Sequence, residues 1–113
     1  MKQLLNVPAA LDMTGNEASF LRELLEDFLS SKILDEAALA DKAAQNEEAA
    51  ASAVHYIKGA ARQLCAEQLA AAGQDLEDVL RYRKQGDKKV LIKNFAAIYE
   101  ATRNAIQDAL AIL

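Results

Sequence analysis

Ala53-Val54-His55-Tyr56-Ile57-Lys58-Gly59-Ala60-Ala61-Arg62-Gln63-Leu64 decides the reading of this chain. At roughly 100° per residue, Val54, Ile57, Ala61 and Leu64 gather into one apolar stripe. Ser52, His55, Gly59 and Arg62 fall on the opposite side, so the chain's single histidine is expected to face solvent. Gly59 lies one turn beyond it. A helix-interior glycine costs roughly 1 kcal/mol relative to alanine, so stability alone does not account for it. The expectation is that something needs room beside the imidazole.

Working outward, the rest of the chain is helical in pattern. Asn6 can cap a short helix over residues 7–13, with Pro8 in its first turn, and Thr14-Gly15-Asn16 ends it. Asn16 is expected to cap the next helix, whose buried stripe is Phe20, Leu21, Leu24, Leu25 and Phe28. Beyond Phe28 the phase is lost: Ser31, Lys32 and Asp35 take directions that were apolar, and Ile33 and Leu34 point elsewhere. This predicts a helix over 16–44 with a kink or restart near 30–31. Asn46 then caps the histidine helix, 47–64, and a turn at Cys65-Ala66 leads to a helix over 67–84 with Leu69, Ala72, Leu76, Val79 and Leu80 inside.

Arg81, Arg83 and Lys84 suit the negative end of that helix, and Gly86 makes a C-terminal stop. Asp87 can cap a last helix, 87–112, carrying Leu91, Phe95, Ile98, Ala105, Ile106, Ala109 and Leu113 on one side. Gly73 falls beside a buried stripe, where close packing explains it. The expected architecture is all-α, an up-down antiparallel four-helix bundle with a short extra N-terminal helix, forming one domain over 1–113.

The composition agrees with a single-cored domain. The chain has 113 residues, of which 52% are hydrophobic but only 5% aromatic, so helices must approach closely rather than fill space with rings. Seventeen acidic against thirteen basic residues leave a net charge of −4, which gives no reason to expect nucleic acid. With one cysteine and one histidine, neither an intrachain disulfide nor a His/Cys zinc site is available. No apolar run approaches the roughly 20 residues of a membrane span, and no signal-like start is seen. A cytoplasmic protein is expected.

The run His55-Tyr56-Ile57-Lys58-Gly59-Ala60-Ala61-Arg62-Gln63-Leu64-Cys65-Ala66-Glu67-Gln68-Leu69, continuing to Leu76-Glu77, resembles the histidine-containing phosphotransfer (HPt) domain of multistep two-component phosphorelays. Phe20 to Leu29 is similar to the family's first bundle helix, so the likeness spans most of the chain. The resemblance implies a stoichiometric phosphocarrier without autokinase activity, with His55 as phosphoacceptor through Nε2 and Lys58 offsetting phosphoryl charge from an adjacent part of the helix surface. Gly59 would clear space for the partner. Ser52, Tyr56 and Arg62 flank the histidine as partner-binding candidates; Arg62 extends the positive surface near His55, where it would meet phosphate or a receiver carboxylate, and is equally read as an ordinary solvated arginine. The implied partners are receiver domains of response regulators, or a hybrid sensor histidine kinase, met by a monomer. No cofactor is expected on this chain, and Mg²⁺ is expected on the receiver.

Two residues depart from the family pattern. Ala60 stands where many members have serine, and Cys65 where glycine is common. Cys65 reads as a small buried thiol rather than a redox switch. A second reading is a helical interaction module of the same fold that binds signalling partners without phosphotransfer. A third, a kinase or hydrolase, ranks last: Gly15, Gly59, Gly73 and Gly86 form no phosphate-binding loop. The basic cluster Arg81, Arg83, Lys84, Lys88 and Lys89 is explained largely by helix-end electrostatics.

Overall fold

Side-chain caps start helices where the polar residues require. The oxygens of Asn6, Asn46 and Asp87 accept hydrogen bonds from the backbone N–H groups of Ala9, Ala49 and Val90, filling donors that a first helical turn leaves orphaned. A computed structural model describes residues 3–31 and 34–113. Among these residues every regular element is a helix: α1 (Val7–Met13), α2 (Ala18–Ser30), α3 (Glu36–Gln45), α4 (Glu47–Gln63), α5 (Glu67–Leu80) and α6 (Lys88–Ile112).

Helix ends depend on residues in the left-handed region. After α1, α4 and α5 the chain turns through Gly15, Cys65 and Tyr82, at φ of +67°, +56° and +60°. Each end closes with the paired backbone bonds of a Schellman motif. After α4, Ala66 N–H donates to the Ala61 carbonyl at 2.8 Å and Cys65 N–H to that of Arg62 at 3.2 Å. Cys65 therefore occupies a conformation that glycine adopts more easily, which is the physical meaning of its departure from the family pattern.

Several expected boundaries need correction. Asn16 does not cap α2: it has φ +63° and its N–H closes α1 onto Leu11, while Glu17 precedes α2 without a side-chain cap. The segment expected as one kinked helix over 16–44 is two helices, α2 ending at Ser30 and α3 beginning at Glu36 under an Asp35 cap. Lys32 and Ile33, which carried part of the phase argument, lie outside the described residues. Helix α5 stops at Leu80, short of residue 84. Arg83 and Lys84 then fold back to pair with Asp78 and Asp75 instead of sitting in its last turn. Gly86 serves close approach rather than helix termination, since a Cβ there would lie 2.8 Å from Val79 Cγ2.

One core joins all six helices. Leu21, Leu25 and Phe28 of α2 and Leu39 of α3 meet Val54 and Ile57 of α4, Leu69, Leu76 and Leu80 of α5, and Phe95 and Ile106 of α6. Helix α4 packs on α3 and α5, α6 packs on α2, α3 and α5, and α1 packs on α2. Ala50, Ala51 and Ala61 are buried, so small residues bring α4 close to its neighbours. Two expected stripes shift. Phe20 is 49% exposed. On α6 the buried line is Ile92, Phe95, Tyr99, Thr102, Ile106 and Ala109, with Leu91, Ile98, Ala105 and Leu113 only partly covered. The Thr102 hydroxyl is satisfied inside the helix by the Ile98 carbonyl at 2.7 Å. Among the described residues, no helix is long and apolar enough to cross a membrane.

Candidate functional site

Helix α4 carries His55 outward, with 62% of its side chain exposed. Beneath the ring lies a carboxylate contributed by the next helix. Glu77 of α5 is 2% exposed, and its oxygens stand 3.1 and 3.2 Å from His55 Nδ1. An ionised carboxylate only accepts, so Nδ1 carries the proton and donates. In the neutral ring this tautomer leaves the lone pair on Nε2, the nitrogen farther from the backbone.

Glu77 is held from two other sides. Lys58 Nζ lies 2.7 Å from its Oε1, and Arg81 Nε lies 2.9 Å from its Oε2. Burial raises the Glu77 carboxyl, but hydrogen bonds from Lys58, Arg81 and His55 outweigh it and bring the group down to about 2. Arg81 also pairs with Glu48 of α4, so the carboxylate network ties the two helices together.

Lys58 differs from its expected place. Rather than lying on the helix surface beside His55, it is 5% exposed, with Nζ shared between Glu77 and the Gln74 side-chain oxygen at 3.0 Å. Gly73 makes this burial possible. A Cβ at Gly73 would stand 3.2 Å from Lys58 Cβ and 3.3 Å from Phe95 Cε1, so the glycine lets the lysine stem pass between α4 and α5.

The other predicted positions surround the ring differently. Ser52 and Tyr56 are exposed, Tyr56 to 73%. Tyr56 borders an apolar groove of about 470 Å³ between α2, α3 and α4, lined also by Leu24, Phe28, Leu34, Ile57 and Ala60. Arg62 is exposed and donates to the Gln74 oxygen at 3.2 Å. Gly59 is exposed, and a Cβ built there meets nothing within 4 Å. Cys65 is half-buried, its thiol raised by desolvation and by Glu67, and donates to Met13 Sδ at 3.3 Å. No group of three or more His, Cys, Asp or Glu among the described residues is arranged to hold a metal ion.

Two glycines on facing helices thus have opposite surroundings, and substitution separates them. Gly59→Leu is expected to keep or slightly raise stability, by up to about 1 kcal/mol, because leucine is the better helix former and its side chain enters solvent. Gly73→Leu should lose about 1 to 3 kcal/mol or more by overpacking against Lys58 and Phe95. Urea melts of the two variants give this contrast directly; a clearly destabilised Gly59→Leu would contradict the open space beside His55.

Reasoning from the sequence missed Glu77 as a site residue. It stands at the end of the run that resembles the family, where the resemblance assigns it no role. The signal was present, because Glu77 is four residues after Gly73 and three before Leu80, so an acid sits within α5's buried stripe. A buried acid calls for a partner, and Lys58 supplies one across the helix interface.

A small helical domain that sets an exposed histidine over a buried, fully paired carboxylate is built to present one imidazole in a fixed tautomer. The chain belongs to the Hpt domain family, whose pattern matches residues 11–112. Domains of this family carry out histidine phosphotransfer in phosphorelays and interact with receiver domains. Comparison with curated proteins and with solved structures finds no match.

Proposed function

We propose that this protein is a stoichiometric phosphocarrier that relays a phosphoryl group between receiver-domain aspartates through phosphohistidine at His55. The observation that carries the reading is the exposed imidazole whose Nδ1 donates to buried Glu77, leaving Nε2 as the nucleophile. The Nε2 lone pair attacks the phosphorus of an aspartyl phosphate, the bond from phosphorus to the carboxylate oxygen breaks, and the aspartate leaves as its carboxylate. The ring then bears a positive charge with its proton still on Nδ1, where the Glu77 carboxylate offsets it. Reversal delivers the group to a second aspartate.

Lys58 and Arg81 act through Glu77. Without them a buried carboxylate beneath the ring would repel the arriving phosphoryl group; paired to two cations, it orients the imidazole without leaving an uncompensated negative charge. Gly59 leaves the approach to the ring open, and Tyr56 and Ser52 are offered to the docked partner. Mg²⁺ belongs to the receiver on this reading, and the chain acts as a cytoplasmic monomer. The pairing of α4 with α5 and of α6 with α2, α3 and α5 supports an up-down four-helix bundle in which α2 and α3 together form one member.

The test is transfer itself. Mixed with a panel of phosphorylated receiver domains and Mg²⁺, the chain should acquire acid-labile phosphate from at least one receiver and release it to another. ATP alone should not label it. Receiver binding without any phosphate movement across the panel would instead favour an interaction module, and stoichiometric labelling by ATP in a kinase-free preparation would contradict the carrier reading.

A further inference from the structure

Among the described residues, Arg62 is the cation near His55 whose charge no carboxylate answers. Lys58 is buried against Glu77, and Arg81 is shared by Glu77 and Glu48. The bond given to Arg62 is with Gln74, and that amide oxygen also receives Lys58. A neutral oxygen shared by two cations leaves the guanidinium charge available. The Gln74 amide nitrogen is itself turned to Asp78, at 2.8 Å.

Position completes the argument. His55, Gly59 and Arg62 follow one another at i, i+4 and i+7, which brings them to one face of α4 within two turns, about 10 Å along the axis. Helical side chains lean toward the N-terminus, so Arg62 leans toward Gly59 and His55. Gly59 places no side chain between them, and nothing lies within 4 Å of where its Cβ would be. Lys58, by contrast, has its ammonium committed beneath the ring and only 5% of its surface exposed.

We propose that Arg62 is the residue that directly pairs with the phosphoryl group on His55, swinging from Gln74 across the Gly59 clearing, while Lys58 serves as the counterion of Glu77. The assignment rests on the phosphocarrier reading above. It divides between two side chains the charge compensation that the family resemblance gives to Lys58, and of the readings open to Arg62 it selects the phosphoryl group over a receiver carboxylate. Arg62 takes and gives no proton; its guanidinium donates hydrogen bonds to phosphoryl oxygens.

The experiment uses the isolated chain, so that no partner can supply the contact. Phosphoramidate is the donor: Nε2 attacks phosphorus, the phosphorus–nitrogen bond breaks and ammonia leaves. The proton affinity of the phosphoryl group is then read by phosphorus NMR across a pH titration. A guanidinium beside the group favours its dianion, so Arg62→Gln should raise that proton affinity about two- to fivefold, the range expected of an exposed ion pair. Arg62→Lys should restore much of the wild-type value, and circular dichroism of all three proteins should coincide. Identical titrations for wild type and Arg62→Gln would overturn the assignment. If receiver binding nevertheless fell in Arg62→Gln, the arginine would meet a partner's carboxylate instead. A wild-type chain that takes no phosphoryl group at His55 would overturn the phosphocarrier reading first.

Discussion

His55→Gln should reduce phosphate acceptance to background while leaving the fold intact. The chain has one histidine, so no second imidazole can take over the chemistry. The side chain is 62% exposed and belongs to no packed cluster, so its replacement removes little buried area. Glu77 loses one of its three donors but keeps Lys58 at 2.7 Å and Arg81 at 2.9 Å, and the new amide can donate in place of Nδ1. A stability change within about 1 kcal/mol is expected. Far-UV circular dichroism, a urea melt and transfer from a phosphorylated receiver, measured on the same preparation, check all three statements. Undiminished labelling of a folded His55→Gln protein would place the chemistry on another side chain.

What could be read from the sequence follows from which forces are local. The histidine helix, the Asn6, Asn46 and Asp87 caps and the α5 core positions are set by side chains a few residues apart, and spacing reveals them. The outward direction of His55 and Gly59 follows from the same periodicity. The errors cluster where tertiary context decides. Tyr99 and Thr102 carry polar atoms, yet they complete the buried line of α6 because the Thr102 hydroxyl bonds within its own helix. Phe20 is apolar but exposed, since α2 needs only Leu21, Leu25 and Phe28 to cover its side of the core.

The site shows the same division. Spacing put Lys58 near His55 but could not show that the stem dives inward, because that depends on Gly73 in another helix. The expectation of a solvated lysine failed for this reason: a cation's exposure is set by the carboxylate available to it, and Glu77 lies nineteen residues away in sequence but 2.7 Å away in space. Once that pair is recognised, the site is a stability element as well as a chemical one. Its removal must be felt by the whole fold.

Glu77→Leu should therefore be the most destabilising single change in the site, costing about 3 to 5 kcal/mol, because it strands Lys58 at 5% exposure without its counterion and leaves Arg81 only Glu48. Glu77→Gln keeps the shape and an acceptor for His55, so it should lose less and remain foldable. Acid unfolding distinguishes loss of charge from loss of packing. The Glu77 carboxyl is lowered in the folded chain from the ordinary 4.5 to about 2, so its ionised form stabilises the fold. That contribution is fully present above the unfolded value and is lost as pH falls from there through about 2. Urea melts of wild type and Glu77→Gln at pH 7 and pH 3 should show a gap in stability that narrows at the lower pH. A gap of the same size at both would mean that the ion pairs around Glu77 contribute nothing that depends on its charge.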